Sequence, residues 1–235
     1  MTQTPEQQYG IYHFLEKADD DKSLKDSIYY QLESTKGNYL GSPALAMNVL
    51  GKQAKRFVFF DLEKSALENV DIYAKQIELS TSVEIHHTDS LKGTIELLPS
   101  LPASSFIHID PYEIDKKGDS GVTYLDILIQ ATQLGMKCLL WYGFMTEDDK
   151  ESLDNYIVSS LEKAGIKDYI GVELTMNSIK KDSILCNPGI LGSGILATNV
   201  SQTSKDIILD YSNKLVDIYK DAKYKDYDGS LYIQH

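Results

Sequence analysis

Cysteine is scarce: Cys138 and Cys186 are the only two in 235 residues, too few for a disulfide framework and not spaced as a zinc site, so both read as free thiols. Positive charge is also short, with 23 Lys and Arg against 35 Asp and Glu and a formal net charge of −12. A field of that sign repels phosphate backbones unless the bases are gathered on one face. The basic clusters are only Lys52 to Arg56, Lys180-Lys181 and Lys220 to Lys225, the last interleaved with Asp221, Asp226 and Asp228. The balance argues against extended nucleic acid and for a small-molecule or nucleobase substrate. No apolar run approaches the ~20 residues that cross a bilayer. Met1 to Gln8 is polar and lacks a signal-peptide pattern, so a soluble, cytoplasmic protein is expected. His86 and His87 are neighbours on a strand and point to opposite faces, so they cannot chelate one metal together, and no metal site is expected. Internal repeats are absent.

What is present suffices for one sizeable core, since 42% of the residues are hydrophobic. The chain reads as a single α/β domain over residues 1–235, with a helical N-terminal segment to residue 38 and the core from residue 39. Apolar spacings between Tyr9 and Leu32, interrupted by Asp19-Asp20-Asp21, predict two short helices. In Tyr39-Leu40-Gly41-Ser42-Pro43 the glycine permits a sharp turn, Ser42 suits an N-cap and Pro43 the first position of a helix from Ala44 to Gly51. Phe57 to Glu63 is a buried strand closing on Asp61 and Glu63, followed by a helix from Lys64 to Ile77. Val83 to Asp89 is a strand closing on a third acid, followed by a helix from Ser90 to Leu98. Further on, helices are predicted over Tyr124 to Gly135, Glu147 to Gly165 and Asp206 to Ala222. Strands are predicted over Lys137 to Phe144, Tyr169 to Met176 and Gly194 to Thr198, with a short closing strand over Ser230 to Ile233. Most of the 16 tyrosines read as half-buried packing residues with wet hydroxyls.

The organising stretch is Phe106-Ile107-His108-Ile109-Asp110-Pro111-Tyr112-Glu113. Its first residues are β-formers, and Pro111 cannot donate to a ladder, so the strand stops near Asp110 and delivers that acid to its carboxyl end. In open α/β sheets, ligands bind at that end. A carboxylate and a backbone carbonyl there can accept hydrogen bonds from a flat exocyclic amine while an aromatic face stacks on its ring. The plain alternative is a strand ending in a turn, with Asp110 capping the next segment. Glu113 to Thr123, polar and glycine-containing, suits a mobile loop over a site.

Strands ending in acids and then in Asp-Pro-Tyr-Glu occur in the same order in class I methyltransferases. More narrowly, Tyr39 to Pro43, Asp61-Leu62-Glu63, Asp89-Ser90, Ile109 to Glu113, Trp141-Tyr142, Val172-Glu173-Leu174 and Gly192 to Leu196 with Asn199 resemble the RlmJ-type family. That family methylates N6 of an adenine in 23S ribosomal RNA. The resemblance runs from about Tyr9 to the C-terminus. It implies a Rossmann-like doubly wound sheet and S-adenosylmethionine as cofactor. It places cofactor contacts on Ser42, Asp61, Asp89, Ser90 and Asp110, the catalytic acid on Asp110, and the ring that stacks on the target at Tyr112. Three departures stand out. The catalytic segment lacks one of the family's two prolines, its later Asn-Pro-Pro-Trp is Asn199-Val200-Ser201-Gln202 here, and its basic N-terminal segment and first strand with a glycine-rich loop have no counterpart before Tyr9. The sheet is therefore expected to lack or replace its first strand, with a homo-oligomer or another chain completing it. The expected activity is N-methyl transfer, with a catalytically degenerate structural subunit as the alternative.

Overall fold

The computed structural model describes residues 4–36, 39–111, 113–180, 184–187 and 189–235. They form two compact units, one of residues 18–99 and one of residues 1–17 with 100–235.

The chain opens with helices α1 (Pro5–Gln7) and α2 (His13–Ala18), joined by a π-helical turn over Gln8–Tyr12. Two more short helices come next, α3 (Lys22–Lys25) and α4 (Ile28–Lys36). Asp21 starts α3 by accepting from the amides of Ser23 and Leu24, so the acidic run expected to interrupt the helices also caps one of them. Helix α5 (Ser42–Leu50) begins one residue earlier than the turn chemistry suggested. Gly41 is its N-cap, Ser42 its first residue and Pro43 its second, so Ser42 is not the cap.

Strand β1 (Phe57–Asp61), helix α6 (Lys64–Gln76), strand β2 (Val83–His87) and helix α7 (Ser90–Leu97) complete this unit. The two strands pair in parallel, Phe57 with Val83 through Asp61 with His87, because the helix between them returns the chain to the same end. Met47, Phe57, Ala74 and Leu79 form the buried centre, with Val70, Tyr73 and Ile77 packed around it. Each large side chain removed from water there contributes roughly 1.5–3 kcal/mol. The amide of Asn48 donates to the Tyr73 hydroxyl at 2.6 Å and ties α5 to α6.

The second unit is built on a five-stranded sheet. Its elements are β3 (Phe106–Ile109), α8 (Tyr124–Gln133), β4 (Lys137–Phe144), α9 (Glu147–Lys163), β5 (Tyr169–Met176), β6 (Gly192–Thr198) and α10 (Gln202–Ile218). A hairpin of β7 (Lys223–Tyr224) and β8 (Tyr227–Asp228) precedes β9 (Leu231–Gln234). The order is β3-β4-β6-β5-β9: β3 and β4 run parallel, and β6 inserts antiparallel between β4 and β5. Cys138, Leu140, Tyr142 and Phe144 are buried along one face of β4 while the intervening residues are not, the period-two pattern of a strand covered by helices. Both cysteines are free thiols, Cys138 buried and Cys186 partly so.

The ends of the chain meet within this unit. Tyr9 donates to the Gly229 carbonyl at 2.7 Å, Tyr219 to the Gly10 carbonyl at 2.9 Å and Tyr224 to a Glu6 carboxylate oxygen at 2.9 Å. The Tyr9 ring meets those of Tyr219 and Tyr224 edge-on, with centroids 5.2 and 5.5 Å apart. These tyrosines are buried, so their hydroxyls work as internal donors and are not wet tips. Among the described residues, no helix is long and apolar enough to cross a membrane.

Candidate active site

In the unit of residues 18–99, β1 and β2 end together. Asp61 is the last residue of β1 and stands level with His87, and Asp89 comes two residues later. Both acids therefore leave the carboxyl end of one parallel pair. The Asp61 carboxylate accepts the Glu63 amide at 2.8 Å, which folds the chain away from the strand and keeps the acid at the tip. Asp89 caps α7, accepting the Lys92 amide at 3.0 Å, and Ser90 opens the helix. Helix α7 lies close to β1 because Gly93 faces the Phe60 ring: a Cβ there would sit 2.3 Å from a ring carbon. Phe60 in turn stacks on His86 at 5.0 Å, and His87 bonds the Leu62 carbonyl at 2.9 Å. The two histidines are packing and turn residues, and no group of three metal-ligating side chains occurs among the described residues.

In the other unit β3 ends at Ile109, level with Leu140. Asp110 is the next residue, exposed at the carboxyl end, with Trp141 the next residue on the neighbouring strand. His108 precedes it on the same face by strand alternation. Shielding of the His108 ring lowers its pKa, and the Asp110 carboxylate pulls it the other way. Tyr112 lies outside the described residues. Trp141 is held by the chain that crosses it: a Cβ on Gly189 would lie 2.6 Å from its ring, and one on Gly143 would lie 2.8 Å from the Gly189 backbone. Gly189 itself has φ +84, so a glycine is required there twice over.

The segment from Glu113 to Thr123 forms no helix or strand and is largely exposed. Ile114 is buried, and its carbonyl accepts the Leu125 amide at 3.3 Å. Thr123 and Asp126 then form a reciprocal cap on α8. One apolar residue in a polar stretch anchors it.

A buried polar network escaped notice in the sequence. Glu173 on β5 accepts the Tyr142 hydroxyl at 2.8 Å and the Lys150 ammonium at 2.6 Å, and Lys150 also reaches Asp154 at 2.7 Å. Glu173 and Lys150 are 5% and 9% exposed. Burial, and then the neighbouring Asp154, push the Glu173 pKa above the usual carboxylate range. Burial works against the Lys150 charge, but its bonds to Asp154 and Glu173 outweigh it and hold that pKa high. Gly194, between Tyr142 and Glu173 across β6, leaves room for the ring, since a Cβ there would fall 2.3 Å from it. An acid inside an otherwise apolar strand was the available signal.

The strand-end acids and helix starts define an α/β fold with acceptors suited to ribose hydroxyls, and the residues present fit a nucleoside-bearing cofactor. Residues 1–214 match the family described as ribosomal RNA large subunit methyltransferase D, RlmJ, and the chain belongs to it. It is an S-adenosylmethionine-dependent methyltransferase. Among solved structures, a protein of Legionella pneumophila assigned to the DUF519 family superposes with a TM-score of 0.67 at 20% identity, over 97% of this chain and 79% of that one. A candidate rRNA methylase from Clostridium thermocellum gives 0.41 at 15% identity, over 67% and 82%. A SAM-dependent methyltransferase from Agrobacterium tumefaciens gives 0.45 at 13% identity, over 83% and 62%. No curated protein sequence matches.

The family overturns one expectation. Its substrate is ribosomal RNA, so arguing from charge against extended nucleic acid and for a small-molecule or nucleobase substrate was the wrong inference. A net −12 averages the whole surface, whereas phosphate contacts depend on which few side chains meet the backbone. Nothing in the fold or the family favours the non-catalytic alternative.

Proposed function

We propose that the chain transfers a methyl group to the exocyclic nitrogen of an adenine in large-subunit ribosomal RNA, with Asp110 as the catalytic residue. The observation that carries this reading is an exposed acid, followed by proline, at the carboxyl end of β3 beside Trp141. Bound S-adenosylmethionine supplies a methyl group already activated by its sulfonium. What remains for the protein is positioning and charge. The Asp110 carboxylate and the backbone carbonyl beside it accept the amine hydrogens, aim the nitrogen lone pair, and match the positive charge that develops on it. The extra proton then leaves through Asp110 or water. Tyr112 stacks on the base in this reading. Ser42, Asp61, Asp89 and Ser90 hold the cofactor, the acids by accepting from hydroxyl and amine donors. An rRNA substrate implies a cytoplasmic enzyme.

The test is nucleoside analysis of unmodified large-subunit rRNA after incubation with enzyme and labelled cofactor. Label in N6-methyladenosine is the expected result. Label confined to a carbon-methylated base or a ribose hydroxyl would reject the nitrogen target.

A further inference from the structure

The turn that presents Ser42 is built in an unusual way. Gly41, the N-cap of α5, has no side chain to offer, and no side-chain bond caps the helix there. The neighbouring Ser42 is a residue type that caps well, yet it stands inside the helix, where its hydroxyl is not spent on capping. The chain before the cap is held from elsewhere. Glu33, in the last turns of α4, accepts the Leu40 amide at 3.0 Å through one carboxylate oxygen. Both residues are buried, Glu33 5% and Leu40 7% exposed. The second Glu33 oxygen is buried with no hydrogen-bond partner among the described residues.

As a device for stability alone this is a poor choice. A buried carboxyl satisfied on one oxygen is disfavoured, and Ser42 at the N-cap would pair a first-turn amide of α5 without help from another helix. The arrangement makes sense if the turn must hold Ser42 one position inside the helix with its hydroxyl available. A carboxyl beside the start of α5 also complements the positive end of that helix. Burial raises the pKa of Glu33 and the Leu40 amide draws it back, as a group held by one directed bond in a dry place should behave.

We propose that Glu33 is a positioning residue that fixes the Tyr39–Pro43 turn and thereby sets Ser42 for the cofactor; this rests on the reading that Ser42 binds S-adenosylmethionine. Glutamine at this position keeps an acceptor for the Leu40 amide, whereas alanine leaves that buried amide unpaired.

The experiment combines calorimetric titration of S-adenosylhomocysteine with amide hydrogen exchange, on wild type, Glu33→Ala, Glu33→Gln and Leu24→Ala. Leu24, fully buried in the same unit, is a control for general loss of packing. In folded Glu33→Ala, affinity falls about tenfold or more, and the amides of Leu40 to Ser42 exchange quickly while α6 stays protected. Glu33→Gln restores affinity to within about threefold of wild type, and Leu24→Ala lowers the melting temperature without weakening affinity. Unchanged affinity and protected turn amides in Glu33→Ala would overturn the proposal, as would an equal loss in Leu24→Ala. Wild type that fails to bind would overturn the cofactor role of Ser42 instead. The exchange measurement then decides by itself whether Glu33 holds the turn.

Discussion

Asp110→Ala is expected to lower kcat for RNA methylation by about 10²–10³-fold, the loss typical when one preorganised group facing developing charge is removed. The target amine becomes more positive as its bond to the methyl carbon forms, so the interaction with Asp110 is stronger in the transition state than before it. The loss should therefore appear in kcat, with RNA affinity little changed. Asp110→Asn keeps an acceptor oxygen and gives up the charge, so its activity should fall between wild type and alanine. Because Asp110 is exposed at the end of β3, neither change opens a cavity, and the melting temperature should hold. Single-turnover rates for the three proteins check this. Full activity in Asp110→Ala would move catalysis to another residue.

The largest expected loss of stability belongs to Lys150→Met. Methionine fills much of the lysine stem's volume but leaves Glu173 buried beside Asp154 without its cation. Breaking a buried pair from one side typically costs about 3–5 kcal/mol. The effect should depend on pH in a definite direction. Glu173 already titrates above its ordinary value in the folded protein, so its contribution is fully present below the unfolded carboxylate pKa and is lost as pH rises through the folded one. Removing Lys150 raises the folded value further. The variant should therefore come closest to wild type in mildly acidic buffer and fall further behind toward pH 8, which denaturant melts across that range would show. A uniform deficit at every pH would mean that lost packing dominates.

Much of the candidate site was legible because it is local. Asp61, Asp89 and Asp110 each close a short apolar run, and Pro111 marks the end of its strand in any context. The hydrophobic period also located β1 to β6 within a residue or two. What the sequence hid is non-local. That β6 inserts between β4 and β5 depends on pairings such as Tyr142 with Gly194 and Val172 with Ile195, which no spacing along the chain encodes. Tyr219 and Ala222 continue the apolar spacing of the last helix, yet α10 stops at Ile218 and the chain turns into the β7–β8 hairpin. Ser42 is a good cap by type, yet Gly41 takes that position, and the turn before it is bonded to Glu33 of α4. Glu173 stands out as an acid within an apolar strand, but its partners Lys150 and Tyr142 are far off in sequence. Charge misled for a related reason: a sum over the chain carries no position.

Titration of S-adenosylhomocysteine into wild type and Asp61→Ala tests the central claim most directly, because the acid at the end of β1 is exposed and assigned here to the cofactor. One ligand per chain for wild type, with affinity at least about tenfold weaker in a folded Asp61→Ala, is the expected result, since a hydrogen bond to a charged group contributes about 1.5–3 kcal/mol. Equal affinity in the two proteins would contradict the assignment of the strand-end acids to the cofactor.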